Sequence, residues 1–320
     1  LSGVNGDGAA RNTAVGYQAG VAITSGINNT AIGGIALNTD DQGSGSTAVG
    51  VSALKSQNLG DVSSGNTAVG HNTGFYNVTG TNNTYLGSEA GTGVSTKSHS
   101  GCVFIGRNAG LTAYTGDNNI AIGYGAMDDV DADDTVGAST NNIFIGKDAG
   151  GGTWTTTASD HNVGIGNNVM DAAMNGAVRN TAVGPNCLTG LTEGSNNVIM
   201  GYEAGKVIAD GDSNVALGYT ALGANISGTR NVCVGQSAGV AITASENICI
   251  GYNSGDTIQS GGGNTIVGHS ADVNATTGED STNQIVLGKE TTGVADNSVT
   301  LGNASVTAVY MAQDSGATVY

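Results

Sequence analysis

The apolar and polar positions of this chain repeat with a long, regular period. The unit Asn180-Thr181-Ala182-Val183-Gly184 returns as Asn197-Val198-Ile199-Met200-Gly201, Asn214-Val215-Ala216-Leu217-Gly218 and Asn231-Val232-Cys233-Val234-Gly235. The glycines at 184, 201, 218 and 235 are 17 residues apart, a spacing that fits one turn of a solenoid. Copies extend from Gly16 to Gly302, about 17 in all. The residue before each glycine is Val, Ile, Leu or Met, and the residue three before it is Thr, Val or Ile. Side chains two apart share one face of a strand, so the pattern predicts a short strand with these two positions inside the coil. The residue between them is usually alanine, as at Ala14, Ala31, Ala48, Ala68, Ala121, Ala182 and Ala216. Tyr85, Phe104, Phe144, Ile199, Ile266 and Val286 replace it elsewhere; Lys, Glu and Gln never do. That predicts a second apolar face, which one coil cannot bury, so these alanines are expected to meet another copy of the chain.

The asparagine that opens the unit recurs from Asn12 to Asn264. Asparagine tolerates turn geometry and its amide can bond the same group one repeat away, which predicts a structural ladder. The unit glycine supplies dihedrals that other residues avoid. A helix is excluded, because glycine and β-branched residues recur in every unit and no 3.6-residue stripe persists. Ala19, Ala36, Ala53, Ala90, Ala109, Ala149, Ala204 and Ala238, three residues after the unit glycine, suggest a second short strand on another wall. Insertions fall after this segment, so segments 128–141 and 151–161 are expected to protrude.

Composition narrows the fold further. Of 320 residues, 55 are glycine and one is proline, without the three-residue period of collagen. Charged residues are 11% and aromatics 4%, which suits thin stacked layers rather than a thick core. The net charge of −17 repels nucleic acid and anionic membranes, and no apolar run has the roughly 20 residues of a membrane span. Residues 1–305 read as one repetitive domain and 306–320 as an extension toward an absent or cleaved one. Cys102, Cys187, Cys233 and Cys249 form no CxxC pair, which speaks against zinc. Cys233 and Cys249 hold one repeat position in successive units.

Candidate chemistry is sparse. Asp128, Asp129, Asp131, Asp133 and Asp134 offer carboxylates to a calcium ion, but without an EF-hand glycine or terminal glutamate. A solvated acidic loop explains them as well, and no other cofactor is expected. Trp154, Tyr114 and Tyr76 are candidate receptor-contact aromatics. The four histidines lack metal-site spacing and read as surface residues. Thr13, Thr30, Thr47, Thr67 and Thr84 form a column of the kind an ice-binding solenoid exposes. Val and Ile at the same position in later units mark it as buried, against that reading. No nucleophile elbow or repeat-consistent carboxylate pair supports an enzyme.

Units such as Asn12-Thr13-Ala14-Val15-Gly16 and Asn119-Ile120-Ala121-Ile122-Gly123 resemble the repeats of trimeric autotransporter adhesin heads. That resemblance implies a parallel β-roll with three chains around one axis. Asp296-Asn297-Ser298-Val299-Thr300-Leu301-Gly302-Asn303, followed by Tyr310 and Met311, is similar to the segment before the endosialidase-type chaperone domain of phage tail fibres. The expected fold is therefore all-β: a parallel β-roll or β-solenoid of about 17 short repeats, intertwined or packed as a homotrimer. The expected function is structural, the shaft or receptor-binding part of a phage tail fibre in the virion. Its partners would be itself, other virion tail proteins and a host cell-surface glycan or protein, with neither nucleic acid nor membrane insertion. A bacterial surface adhesin or extracellular filament subunit is the alternative, and a glycan-cleaving fibre enzyme the third reading.

Overall fold

The computed structural model describes residues 11–95, 97–112, 115–129, 138–154, 157–273 and 280–309. Its 17 strands, from β1 (Thr13–Val15) to β17 (Val299–Leu301), have three residues each and form one parallel sheet. Every strand pairs in register with the next in sequence: Ala14 lies opposite Ala31, and Ala182 opposite Ile199. The chain is a β-solenoid of about 16 turns with no helix among the described residues. At about 4.8 Å per turn the stack is about 80 Å long. The second strand expected around Ala19, Ala36 and their equivalents is instead a tight turn. Left-handed residues hold it, such as Gln18 and Gly20 or Glu203 and Gly205.

The inside and outside of the strand are the reverse of the sequence expectation. The central residue is buried in every strand except the first and last, and neither flanking residue is buried in any strand. Ala31, Ala48, Ala68, Ala121, Ala182 and Ala216 lie in the core of their own chain, and Ala14 packs against its end. Buried within their own coil, the first six are closed to a second copy, against the expectation that they meet one. The reason is volume. Where a second alanine three after the glycine and a larger group beside it fill the coil, alanine suffices at the centre of the strand; Tyr85, Phe104, Phe144 and Ile199 are buried at the same position in other coils.

Larger core groups alternate to keep that volume filled. In the coils from Gly16 to Gly251 the residue four after the unit glycine is left-handed, and is either a buried Leu or Met or a second glycine. Leu37, Leu54, Met127, Met170, Leu188 and Leu222 take the first form. Where glycine stands, another side chain occupies the gap. A Cβ on Gly205 would lie 2.9 Å from Ile208 Cδ1, and one on Gly110 would lie 2.5 Å from the Phe104 ring.

The asparagines form the expected ladder and are buried. Asn197 donates its main-chain N–H and its Nδ2 to Asn180 Oδ1, both at 3.0 Å. The same Nδ2 donates to the Gly211 carbonyl at 2.8 Å, while Asn197 Oδ1 accepts from Asn214 N and Nδ2. Each side chain thus satisfies main-chain groups of its own coil and the next; among the described ladder residues, Gln284, which replaces asparagine, leaves its buried Oε1 unpaired. The preceding residue is left-handed, as at Asn28, Asn82, Asn118, Asn141 and Asn196, which accounts for the Asn-Asn doublets. Where the ladder asparagine is missing, other groups repair it. Ser46 receives Gln57 Nε2 at 2.6 Å, and Gln57 Oε1 accepts from Asn66. Cys102 directs its thiol to the Gly116 carbonyl.

The unit glycines are the tightest points of the stack. From Gly16 to Gly268 their φ lies between +129° and +148°, and a Cβ would lie 2.2–2.6 Å from the glycine carbonyl oxygen of the next coil. Gly218→Ala, with its Cβ 2.3 Å from the Gly235 oxygen, is expected to cost at least about 2 kcal/mol. Gly34→Ala, where nothing lies within 4 Å, is expected to stay within about 0.5 kcal/mol of the parent. Chemical denaturation of both variants checks the pair; equal costs would contradict the stacked-glycine geometry.

Candidate interaction surface

Inverting the strand places its β-branched residues on the outside. One column runs Thr13, Thr30, Thr47 and onward to Ile285 and Val299; the other runs Val15, Ile32, Val49 and onward to Leu287 and Leu301. No charged residue occurs in either column over all 17 strands. Val15, Leu86, Val198, Met200, Ile250 and Leu287 are among its exposed members. Single exposed apolar residues are ordinary, but a continuous stripe marks an interaction surface. Two columns about 7 Å apart, widened by their side chains to about 10 Å and running about 80 Å, present about 800 Å². That is the area one partner contributes to a stable protein–protein interface. The signal was present in the sequence: the flanking positions are as free of Lys, Glu and Gln as the central one.

A tyrosine column borders this stripe. Tyr17, Tyr124, Tyr202, Tyr219 and Tyr252 each follow a unit glycine and are exposed. Tyr202 and Tyr219 stack at 5.7 Å with rings 7° apart, and Tyr252 stacks on His269 at 5.0 Å. The facing sides of these two pairs are spent on each other.

The individual residues singled out from the sequence fare differently. Trp154 is 1% exposed and packs edge-on against Phe144 at 5.7 Å, so it is a core residue and not a receptor contact. Its loop folds onto the solenoid because Phe144 presents an apolar ring there. Tyr76 is partly exposed beside Phe75, whose ring carries Lys55 Nζ at 4.8 Å. Tyr114 lies outside the described residues, as do Asp131, Asp133, Asp134 and residues 310–320 of the extension. Asp129 is engaged by the Thr112 and Thr153 hydroxyls. The Asp128 carboxyl is pushed up to about 6, first by burial and then by Asp148, Asp129 and Asp171 nearby. Among the described residues no group of three His, Cys, Asp or Glu is placed to hold a metal ion. The outward threonines remove the reason given against an ice-facing array, since Thr13, Thr67 and Thr84 are exposed.

His99 is buried, against the surface reading of the four histidines. Its Nε2 lies 2.7 Å from Tyr85 Oη, which also accepts Asn77 Nδ2 at 2.9 Å, and its ring sits 5.3 Å from Phe104. Burial lowers its pKa to about 4, because an imidazolium there would be desolvated.

No helix among the described residues is long and apolar enough to cross a membrane. No protein-family model and no curated protein matches this chain.

The His99 environment gives a signed pH dependence. The unfolded imidazole takes its proton near pH 6.5 and the folded one near 4, so the unfolded state binds protons first as pH falls. Stability is therefore complete above about pH 6.5 and declines by about 3 kcal/mol toward pH 4. Asp128 and Asp272, both raised to about 6, act with the opposite sign. Denaturation midpoints of the parent and His99→Gln from pH 7.5 to 4 separate the two effects. The parent should lose ground to the variant below about pH 6.5; a constant gap between them would contradict a buried neutral His99.

Proposed function

We propose that this chain is a structural and attachment protein: an elongated rod that packs with further copies of itself, most simply as a parallel homotrimer. The reading extends to the shaft or receptor-binding part of a phage tail fibre, located in the virion tail. It rests on one observation, the uncharged stripe along all 17 strands, apolar in one column and threonine, valine or isoleucine in the other. With a net charge of −17, copies repel one another everywhere else, so contact through an uncharged face is the favourable approach. Parallel, in-register packing sets each coil against its own equivalent and brings no like charges together across the stripe. A linear stack of turns built on one repeated core also gives length per residue, which suits a shaft. Its partners under this reading are its own copies, other tail proteins and a host cell-surface glycan or protein.

The outward threonine column of the first five strands favours a second reading, the ordering of ice-like water on a flat face. Thermal hysteresis with a monomeric chain in solution would support it over self-association.

Light scattering combined with circular dichroism tests the first reading. The parent should have three times the 31.3 kDa chain mass, 93.9 kDa. Met200→Lys combined with Ile250→Lys, both on the outer stripe, should give a monomer with the parent's β spectrum. Ala216→Glu, which buries an unpaired charge inside the coil, should lose the fold at a cost of several kcal/mol. A monomeric parent, or a double variant that keeps the trimer mass, would overturn the proposal.

A further inference from the structure

Cys233 and Cys249 occupy the inward centre of consecutive strands, β13 (Val232–Val234) and β14 (Ile248–Ile250), and are register partners. In-register Cα atoms of neighbouring strands are about 4.8 Å apart, inside the range that a disulfide spans. Both residues are free thiols and fully buried. The two sulfurs sit over equivalent left-handed glycines. A Cβ on Gly239 would lie 2.5 Å from Cys233 Sγ, and one on Gly255 would lie 2.4 Å from Cys249 Sγ. The two thiols thus take equivalent places in consecutive coils, one directly above the other. Cys102 and Cys187 differ: their thiols point to the carbonyls of Gly116 and Ile199 and have no cysteine in register.

We propose that Cys233 and Cys249 are a disulfide-forming pair that clamps two consecutive turns when the chain folds in the presence of a thiol–disulfide oxidant. One cysteine, as thiolate, attacks the disulfide of oxidised glutathione and releases one glutathione thiol. The second cysteine then displaces the other glutathione from the mixed disulfide. Two protein thiols become one disulfide, and oxidised glutathione becomes two thiols. Both thiols are shut off from glutathione in the finished solenoid, so the exchange belongs to the folding chain, before the turns close. The bond closes a loop of 17 residues, from position 233 to position 249 inclusive. Cross-linking restricts the unfolded chain and stabilises the fold; side-by-side Cβ atoms in a parallel pair add strain that makes the link reducible.

The test refolds the denatured, reduced full chain either with oxidised and reduced glutathione or with reductant alone. Peptide mass mapping without reduction should show the 233–249 disulfide, two hydrogens lighter, with Cys102 and Cys187 free. The oxidised preparation should melt at a higher temperature than the reduced one. Cys249→Ala is the control, because alanine is the usual residue at this position and the variant keeps the fold. Its two preparations should melt together. Four free thiols after oxidative refolding, a disulfide to Cys102 or Cys187 instead, or no difference in melting between the parent's preparations would overturn the proposal.

Discussion

The stacking of identical backbone turns at one strand spacing is the constraint on which the rest depends. When each coil repeats the path of the one below, every main-chain group meets its own equivalent about 4.8 Å away. Corners that would strand polar groups in an ordinary fold must then be satisfied along the stack. The asparagine ladder does this on one corner, with each amide bridging two coils. On the next corner the backbones approach so closely that a side chain has no place, and only glycine fits. Asparagine and glycine are thus the fixed letters of the repeat, and the remaining positions vary within the volume left between them.

That volume explains the sequence economy of the chain. In many coils the core is one small side chain from the strand and one from the opposite turn, with one or more larger groups beside them. Leucine or methionine supplies it in some coils; isoleucine or an aromatic supplies it over glycine in others. The β-branched residues that flank the strand centre are placed on the outer face of the sheet, while the aromatics Tyr85, Phe104, Phe144 and Trp154 stay inside. A solenoid with a methyl-lined interior therefore carries its β-branched residues outside, where another copy can cover them. Self-association and the thin core follow from the same geometry.

Much of the fold was legible in the sequence, and the reasons are local. The 17-residue period, the strand at Thr181–Val183 and the ladder through Asn180 and Asn197 are written in residues that repeat without exception or nearly so. What misled was size. Val183 and Thr181 look like core residues and Ala182 looks like a contact point, a judgement that holds for sheets packed on a thick core. Period-two alternation names two faces without saying which is inside, and only the radius of the coil decides it. Trp154 and His99 were misplaced for a related reason: both lie in inserted segments whose return to the solenoid depends on Phe144 and Tyr85 in neighbouring turns. The Tyr202–Tyr219 stack was readable, since both tyrosines follow unit glycines.

Solution X-ray scattering tests the stacked solenoid most directly, because length is fixed by the number of turns and the strand spacing alone. The account predicts a longest dimension of about 80 Å, and in-register parallel packing keeps that length as mass increases. A compact 320-residue domain would instead have a radius of gyration near 20 Å and a longest dimension of about 50 Å. A pair-distance distribution that ends near 50 Å would contradict the solenoid and everything argued from its faces.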